Sequence, residues 1–189
     1  MANYTTWAAV KAYLAIEGVT DDTLGQALVS RACAMIDQFC RRSFAQWTAT
    51  RLFDVPSGPT LWLDEDLLSV TTLLNGDGAT LASGQYKLLP TNVTPKYGIR
   101  LRSGASWVGG STGDDQAISL AGSWGYSSTP PDDVVQAAVR LSAWLYKQRD
   151  APFGTTARPD VGIVEVPAAI PEDVKAILLR YQRVRVAAV

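Results

Sequence analysis

The spacing of the apolar residues changes twice along this chain, and that change limits the folds open to it. Up to about Thr50, and again from Pro130 onward, apolar residues recur at every third or fourth position; between Thr50 and Ala121 they recur at every second. One face of a helix returns about every 3.6 residues and one face of a strand about every two. The order is therefore helices, then strands, then helices.

In the first segment Thr5 or Thr6 can cap a short helix with Trp7, Val10 and Leu14 on one face, and Gly18 is placed to end it. A second helix is predicted from Thr20, with Asp21 and Asp22 in the first turn, where carboxylates complement the helix dipole. Its expected apolar stripe is Leu24, Leu28, Ala32, Met35, Ile36 and Phe39, and Arg41 and Arg42 close it.

The middle segment predicts short strands at Thr50–Val55, Thr60–Leu63, Val70–Leu74, Gln85–Leu89, Ile99–Arg102 and Ala117–Ala121. Turn formers separate them, and Asn75-Gly76-Asp77-Gly78 predicts a hairpin. Pro130-Pro131-Asp132-Asp133 opens a third helix with Val134, Ala138, Leu141 and Leu145 on one face, widened by Val135, Trp144 and Tyr146. Asp150–Ala169 reads as a loop of about 20 residues, a length that in a compact domain marks a functional or docking segment. Pro171, Glu172 and Asp173 open a last helix bearing Val174, Ile177, Leu178, Tyr181 and Val184.

The reading is an α+β fold: a small bundle core of about four helices, with an antiparallel β-rich insertion between helices 2 and 3. Its segments are the N-terminal helices (1–48), the β-rich insertion (49–126), the third core helix (127–150), an extended arm (151–169) and a C-terminal docking helix (170–189).

Composition narrows the function. The chain has no histidine, which removes Ser-His-Asp and Cys-His nucleophilic sites, histidine bases and most zinc and iron sites. A formal charge of -1 gives no global reason to bind nucleic acid. Cys33 and Cys40 fall on one predicted helix, about 10 Å apart along its axis, too far for a disulfide. Buried free thiols are expected, which suits synthesis in a reducing cytosol. The first residues carry no charged and apolar leader pattern, and no apolar run approaches the roughly 20 residues of a membrane span, so a soluble chain is expected.

Chemically suggestive stretches have plainer readings. Asp64-Glu65-Asp66 could present carboxylates to a divalent cation, but neighbours on a strand face opposite ways and the spacing matches no calcium loop. A polar turn is expected there. Gly109–Gly113 lacks the lysine and following hydroxyl of a phosphate loop and opens no helix, and Asp114-Asp115 beside it is expected at a hairpin tip. No catalytic, cofactor or metal residue is assigned.

Two groups remain as binding candidates. Of six tryptophans, Trp7 and Trp144 fit helical core positions, whereas Trp62, Trp107 and Trp124 fall among the strands and are candidates for subunit contacts. Near the C-terminus Lys175, Arg180, Arg183 and Arg185 outnumber Glu172 and Asp173. They form either the solvated face of an amphipathic helix or the polar side of a helix whose apolar residues dock into a partner.

These pieces, in this order, resemble the head–tail connector (adaptor) family of long-tailed bacteriophages. The resemblance rests on Tyr4-Thr5-Thr6, Val10-Lys11-Ala12-Tyr13-Leu14 and Asp21-Asp22, then on Ala32, Ile36-Asp37 and Phe39–Phe44. It continues through Leu68–Thr71, Asn75–Gly78, Tyr86, Gly122–Tyr126, Pro130-Pro131, Ala137-Ala138 and Leu145-Tyr146. It covers roughly residues 4 to 149. It implies a virion protein of the neck with no catalytic residues. The copies would form a ring of twelve below the portal protein, with a stopper or tail-completion protein on the far side and genomic DNA passing through the lumen without sequence-specific contacts. The implied portal-docking residues are Val174, Lys175, Ile177, Leu178, Arg180, Tyr181, Arg183, Val184 and Arg185.

Three alternative readings fit the sequence less well. A stopper or tail terminator is expected to be mainly β-barrel, which the helical opening disfavours. An enzyme using Asp54, Asp64 and Asp66 lacks an acid–base partner or cofactor loop in the sequence. A DNA-binding module lacks a basic recognition helix.

Overall fold

A computed structural model describes residues 2–111, 113–149, 156–158, 162–164 and 170–183. The fold is α+β, with four helices and a five-stranded antiparallel sheet that lies between helices 2 and 3 in sequence. Two compact units result: a helical unit of residues 1–41 and 131–189, and a sheet unit of residues 42–130.

In the helical unit, α1 spans Trp7–Leu14, and the Thr6 side chain accepts a hydrogen bond from the Ala9 N–H, as a capping threonine should. The helix ends earlier than Gly18: Ala15 takes the left-handed conformation, with φ 53°. Helix α2 spans Asp22–Cys40, and its buried stripe is Gly25, Val29, Ala32, Cys33, Ile36 and Cys40. The expected stripe is thus corrected by one position over the first half of the helix, and Leu24 is left exposed. The cause is Trp7: Gly25 is the residue that lets the indole lie against α2, since a Cβ there would meet the ring at 2.1 Å. Cys33 and Cys40 are buried free thiols.

Helix α3, Asp132–Gln148, is the centre of this unit. Val134, Ala137, Ala138, Val139, Leu141, Ser142 and Ala143 are all buried, more than one face of a surface helix would hide. Its C-terminal end is tied to the start of α2, where the Asp21 carboxylate accepts from the Tyr146 hydroxyl at 2.6 Å and pairs with Arg149 at 2.6 Å.

The expected 20-residue loop is corrected in part. It holds a two-stranded antiparallel ladder, Thr156–Arg158 with Gly162–Val164 (β6 and β7 in chain order). The last helix is also shorter than predicted. Helix α4 covers only Glu172–Leu178, a 3₁₀ turn follows over Leu179–Tyr181, and Gln182 is extended.

In the sheet unit, β1 (Trp47–Phe53), β2 (Thr60–Leu74), β3 (Tyr86–Leu89), β4 (Lys96–Leu101) and β5 (Ile118–Trp124) are ordered β1-β5-β2-β4-β3. The two runs expected at 60–63 and 70–74 are one 15-residue strand, which pairs with β4 through its first half and with β5 through its second. Register shifts between Trp62 and Leu67, and again up to Thr72, bend it. These bulges also break the alternation that the sequence pattern relies on. After the Asn75–Gly78 turn the chain returns along β2 with a single bridge, Leu74 with Thr80, and one hydrogen bond from the Leu81 N–H to the Leu73 carbonyl at 2.8 Å. The core of the unit is Leu61, Leu63, Leu67, Leu73, Leu81, Ile99, Leu101, Ile118, Leu120 and Trp124.

Candidate assembly interface

The Asp64-Glu65-Asp66 cluster lies inside β2, not in a turn, and cations already engage it. Arg51 on β1 reaches Asp64 at 2.5 Å and Glu65 at 2.9 Å, and its guanidinium lies over the Trp124 ring, 5.5 Å from the centroid. Asp66 is buried, 3.5 Å from Arg42 Nε, and Arg42 in turn covers the Tyr126 ring. The three carboxylates thus pair with two guanidiniums that lie over the Tyr126 and Trp124 rings. Among the described residues no group of three or more His, Cys, Asp or Glu side chains could hold a metal ion, and no helix is long and apolar enough to cross a membrane.

The strand tryptophans separate by burial. Trp124 is fully buried, with its Nε1–H donated to the Ala49 carbonyl at 3.0 Å and its ring stacked between Trp47 and Phe53. It is a core residue, because β5 is an inner strand, so it offers no surface for a subunit contact. Trp107 is half-buried against the core and donates to the Pro59 carbonyl at 3.2 Å. Trp62 alone of the three stands outside, 51% exposed.

The C-terminal candidates divide in the same way. Val174 and Leu178 are 1% and 0% exposed, so this i, i+4 pair belongs to the helical unit's own core. Three contacts fasten the segment further: Arg140 with Asp173 at 2.8 Å, Arg180 with Asp133 at 2.6 Å, and the Tyr181 hydroxyl to Asp133 at 3.1 Å. The Arg183 N–H donates to the Cys40 carbonyl at 2.9 Å. Val174 and Leu178 are therefore corrected from docking to core residues: seven helical residues present one apolar stripe, and the unit buries it. Ile177 and Lys175 are half-buried, Arg180 is exposed, and Leu179, which the sequence reading passed over, is 58% exposed. Val184 and Arg185 lie outside the described residues.

One half-buried carboxyl stands out. Asp37 on α2 accepts from the Tyr4 hydroxyl, and burial pushes its pKa up from 3.8 to about 6, with the Tyr4 hydrogen bond opposing the shift. Asp21 and Asp22 lie on the other side of the ordinary range: hydrogen bonds from Tyr146 and Arg149, and from Lys11, hold them below it. An open groove of about 750 Å³ between α1 and α2 is lined by Thr5, Trp7, Lys11, Asp22, Gln26 and Ser30, with no nucleophile–base pair among them.

No family model and no curated protein matches the chain. Solved structures do share its fold. A chain from the neck of a native gene transfer agent (GTA) particle, computed with C12 symmetry, aligns over 95% of this chain and 88% of its own length, with a TM-score of 0.63 and 21% identity. One from the neck of an empty GTA particle, computed with C6 symmetry, aligns over 95% and 90%, with a TM-score of 0.62 and 16% identity. A third, from the virion of a native gene transfer agent, aligns over 95% and 90% at a TM-score of 0.58 and 18% identity.

Proposed function

We propose that the chain is a structural subunit of the neck of a phage-like particle, a head–tail adaptor with no enzymatic role. The observation that carries this reading is the shared fold over 95% of the chain with chains of gene transfer agent necks. In this reading the copies close into a ring of twelve, the number that the C12 symmetry of such a neck suggests. The portal sits on one side, a stopper or tail-completion protein on the other, and DNA passes through the middle. Portal contact falls to the residues of the last segment that the helical unit does not fully bury, Lys175, Ile177, Leu179, Arg180 and Arg183, together with Val184 and Arg185, which lie outside the described residues.

Deleting the gene in a strain that makes the particle tests this. Filled heads and free tails should accumulate and join when the protein is supplied; tailed particles made without it would contradict the reading. The purified chain is also expected to turn over neither nucleic acid nor nucleotides. Metal-dependent hydrolysis that Asp64→Ala abolishes would argue for the enzyme alternative.

A further inference from the structure

The β2–β4–β3 side of the sheet carries an exposed face that the core does not use. Register sets Thr60 opposite Arg100 and Trp62 opposite Gly98 across β2 and β4, and Lys87 opposite Arg100 and Leu89 opposite Gly98 across β3 and β4. Directly paired residues point to the same side of a sheet, so Trp62, Arg100 and Lys87 share one face. Gly98 makes room for the indole: a Cβ there would lie 3.0 Å from the Trp62 ring. The ring stacks on Tyr97, with centroids 6.1 Å apart and planes 20° off parallel, and the two side chains are 51% and 44% exposed.

The cations near this pair come from β3, β4 and the residue after β4, while Asp64, two positions along β2 from Trp62, is paired with Arg51 at 2.5 Å. From Gly78 to Gly113 the sequence contains Lys87, Lys96, Arg100 and Arg102 and no carboxylate. Lys87 and Arg100 are both exposed and directly opposite each other, an arrangement that repels until an anion is added.

A second patch of the same unit has the opposite character. Asp54, Asp77, Asp114 and Asp115 are exposed on loops that hydrogen bonds gather together: Gln116 N–H to Asp54 at 2.7 Å, Val55 N–H to the Asp114 carbonyl at 2.9 Å, and Gly76 N–H to the Val108 carbonyl at 3.1 Å. Residues 54–59, 75–82 and 103–117 contain no lysine or arginine.

We infer that the Trp62–Arg100–Lys87 face of one copy receives the Asp54/Asp77/Asp114/Asp115 loops of the next. The inference rests on the ring reading above and gives that ring its contact. A closed ring needs two different, complementary patches on each subunit, and this unit carries them. Exposed Trp, Tyr and Arg together are the residue types that anchor protein interfaces. A DNA backbone would use the cations but has no need of the exposed indole, so a second copy fits better.

Charge exchange in the full-length chain, in place of the wild type in the producing strain, tests it. One variant carries Lys87→Glu and Arg100→Glu; the other carries Asp114→Lys and Asp115→Lys, and leaves Asp54 in place because it accepts the Gln116 N–H. All four sites are exposed, so each variant should melt like the wild type. Each alone should yield at least about tenfold fewer complete neck rings, because its contact now sets like charges together. Co-expressed, the two should restore rings of alternating copies, and zero-length cross-linking of wild-type necks should join Lys87 to Asp114 or Asp115 of another copy. Wild-type ring yields from either variant alone would overturn this contact while leaving the ring reading intact. So would normal rings from the Lys87/Arg100 variant with lost retention of duplex DNA, which would assign the face to DNA. Wild-type necks with no ring of this chain would overturn the ring reading itself.

Discussion

At the scale of single residues, several positions act against their type. Glycine inside a helix ordinarily costs about 1 kcal/mol relative to alanine. At Gly25 the balance reverses, because the Trp7 indole occupies the space a Cβ would need. That indole is held by a hydrogen bond from Nε1 to Asp22 at 2.9 Å and by contact with Tyr146, so it cannot simply step aside. Gly25→Ala should therefore destabilise the protein, by about 1–3 kcal/mol of overpacking, measured as a fall in the urea midpoint. Asp37 gives a pH dependence of unusual sign. The folded chain holds this proton up to about pH 6, whereas an ordinary aspartate loses it near 3.8. Between those values the unfolded state binds fewer protons, so this group's contribution makes stability fall as pH rises from about 4 through 6 and level off above. Urea midpoints at several pH values should show that slope flattened in Asp37→Asn, which keeps an acceptor for Tyr4; an identical slope in the variant would contradict the assignment.

At the scale of elements, the sequence pattern located the four helices and the strands of the sheet unit, but it missed the β6–β7 ladder and misjudged how some elements are used. Caps, acids and prolines at the starts of α1, α2 and α3 were legible because they act locally. The buried stripe of α2 was not, because Gly25 looks neutral until Trp7 is folded onto it. The length of β2 was hidden by its bulges, and the fate of Trp124 by a strand order, β1-β5-β2, that no local pattern encodes. The exposed Trp62 was legible as a candidate; its cationic companions Lys87 and Arg100 were not, since only the register brings the three to one face. The last helix gives the sharpest test of core against surface. Leu178→Ala should cost about 2–5 kcal/mol, because its side chain is wholly buried. Leu179→Ala should change stability by no more than about 0.5 kcal/mol, while weakening attachment to filled heads if that segment meets the portal. Equal denaturation midpoints for the two variants would contradict the division.

At the scale of the whole molecule, the large exposed apolar side chains among the described residues are distributed over separate elements and loops: Tyr13 on α1, Leu24 on α2, Leu52 on β1, Trp62 on β2, Tyr97 on β4, Leu179 after α4, and Val19, Val93 and Val108 in loops. Contacts built largely from charges are weak on their own and screened by salt. The isolated chain is therefore expected to be mostly monomeric at low micromolar concentration, with rings forming once a portal gathers the copies; light scattering that finds a stable dodecamer of the free protein would contradict this. The place of this chain in a particle can be seen by electron cryomicroscopy of intact particles carrying a small tag on this protein. Twelve tagged copies are expected in one ring at the head–tail junction, with density that accepts the sheet unit and the helical unit. Tag density elsewhere in the particle, or a neck ring into which neither unit fits, would contradict it.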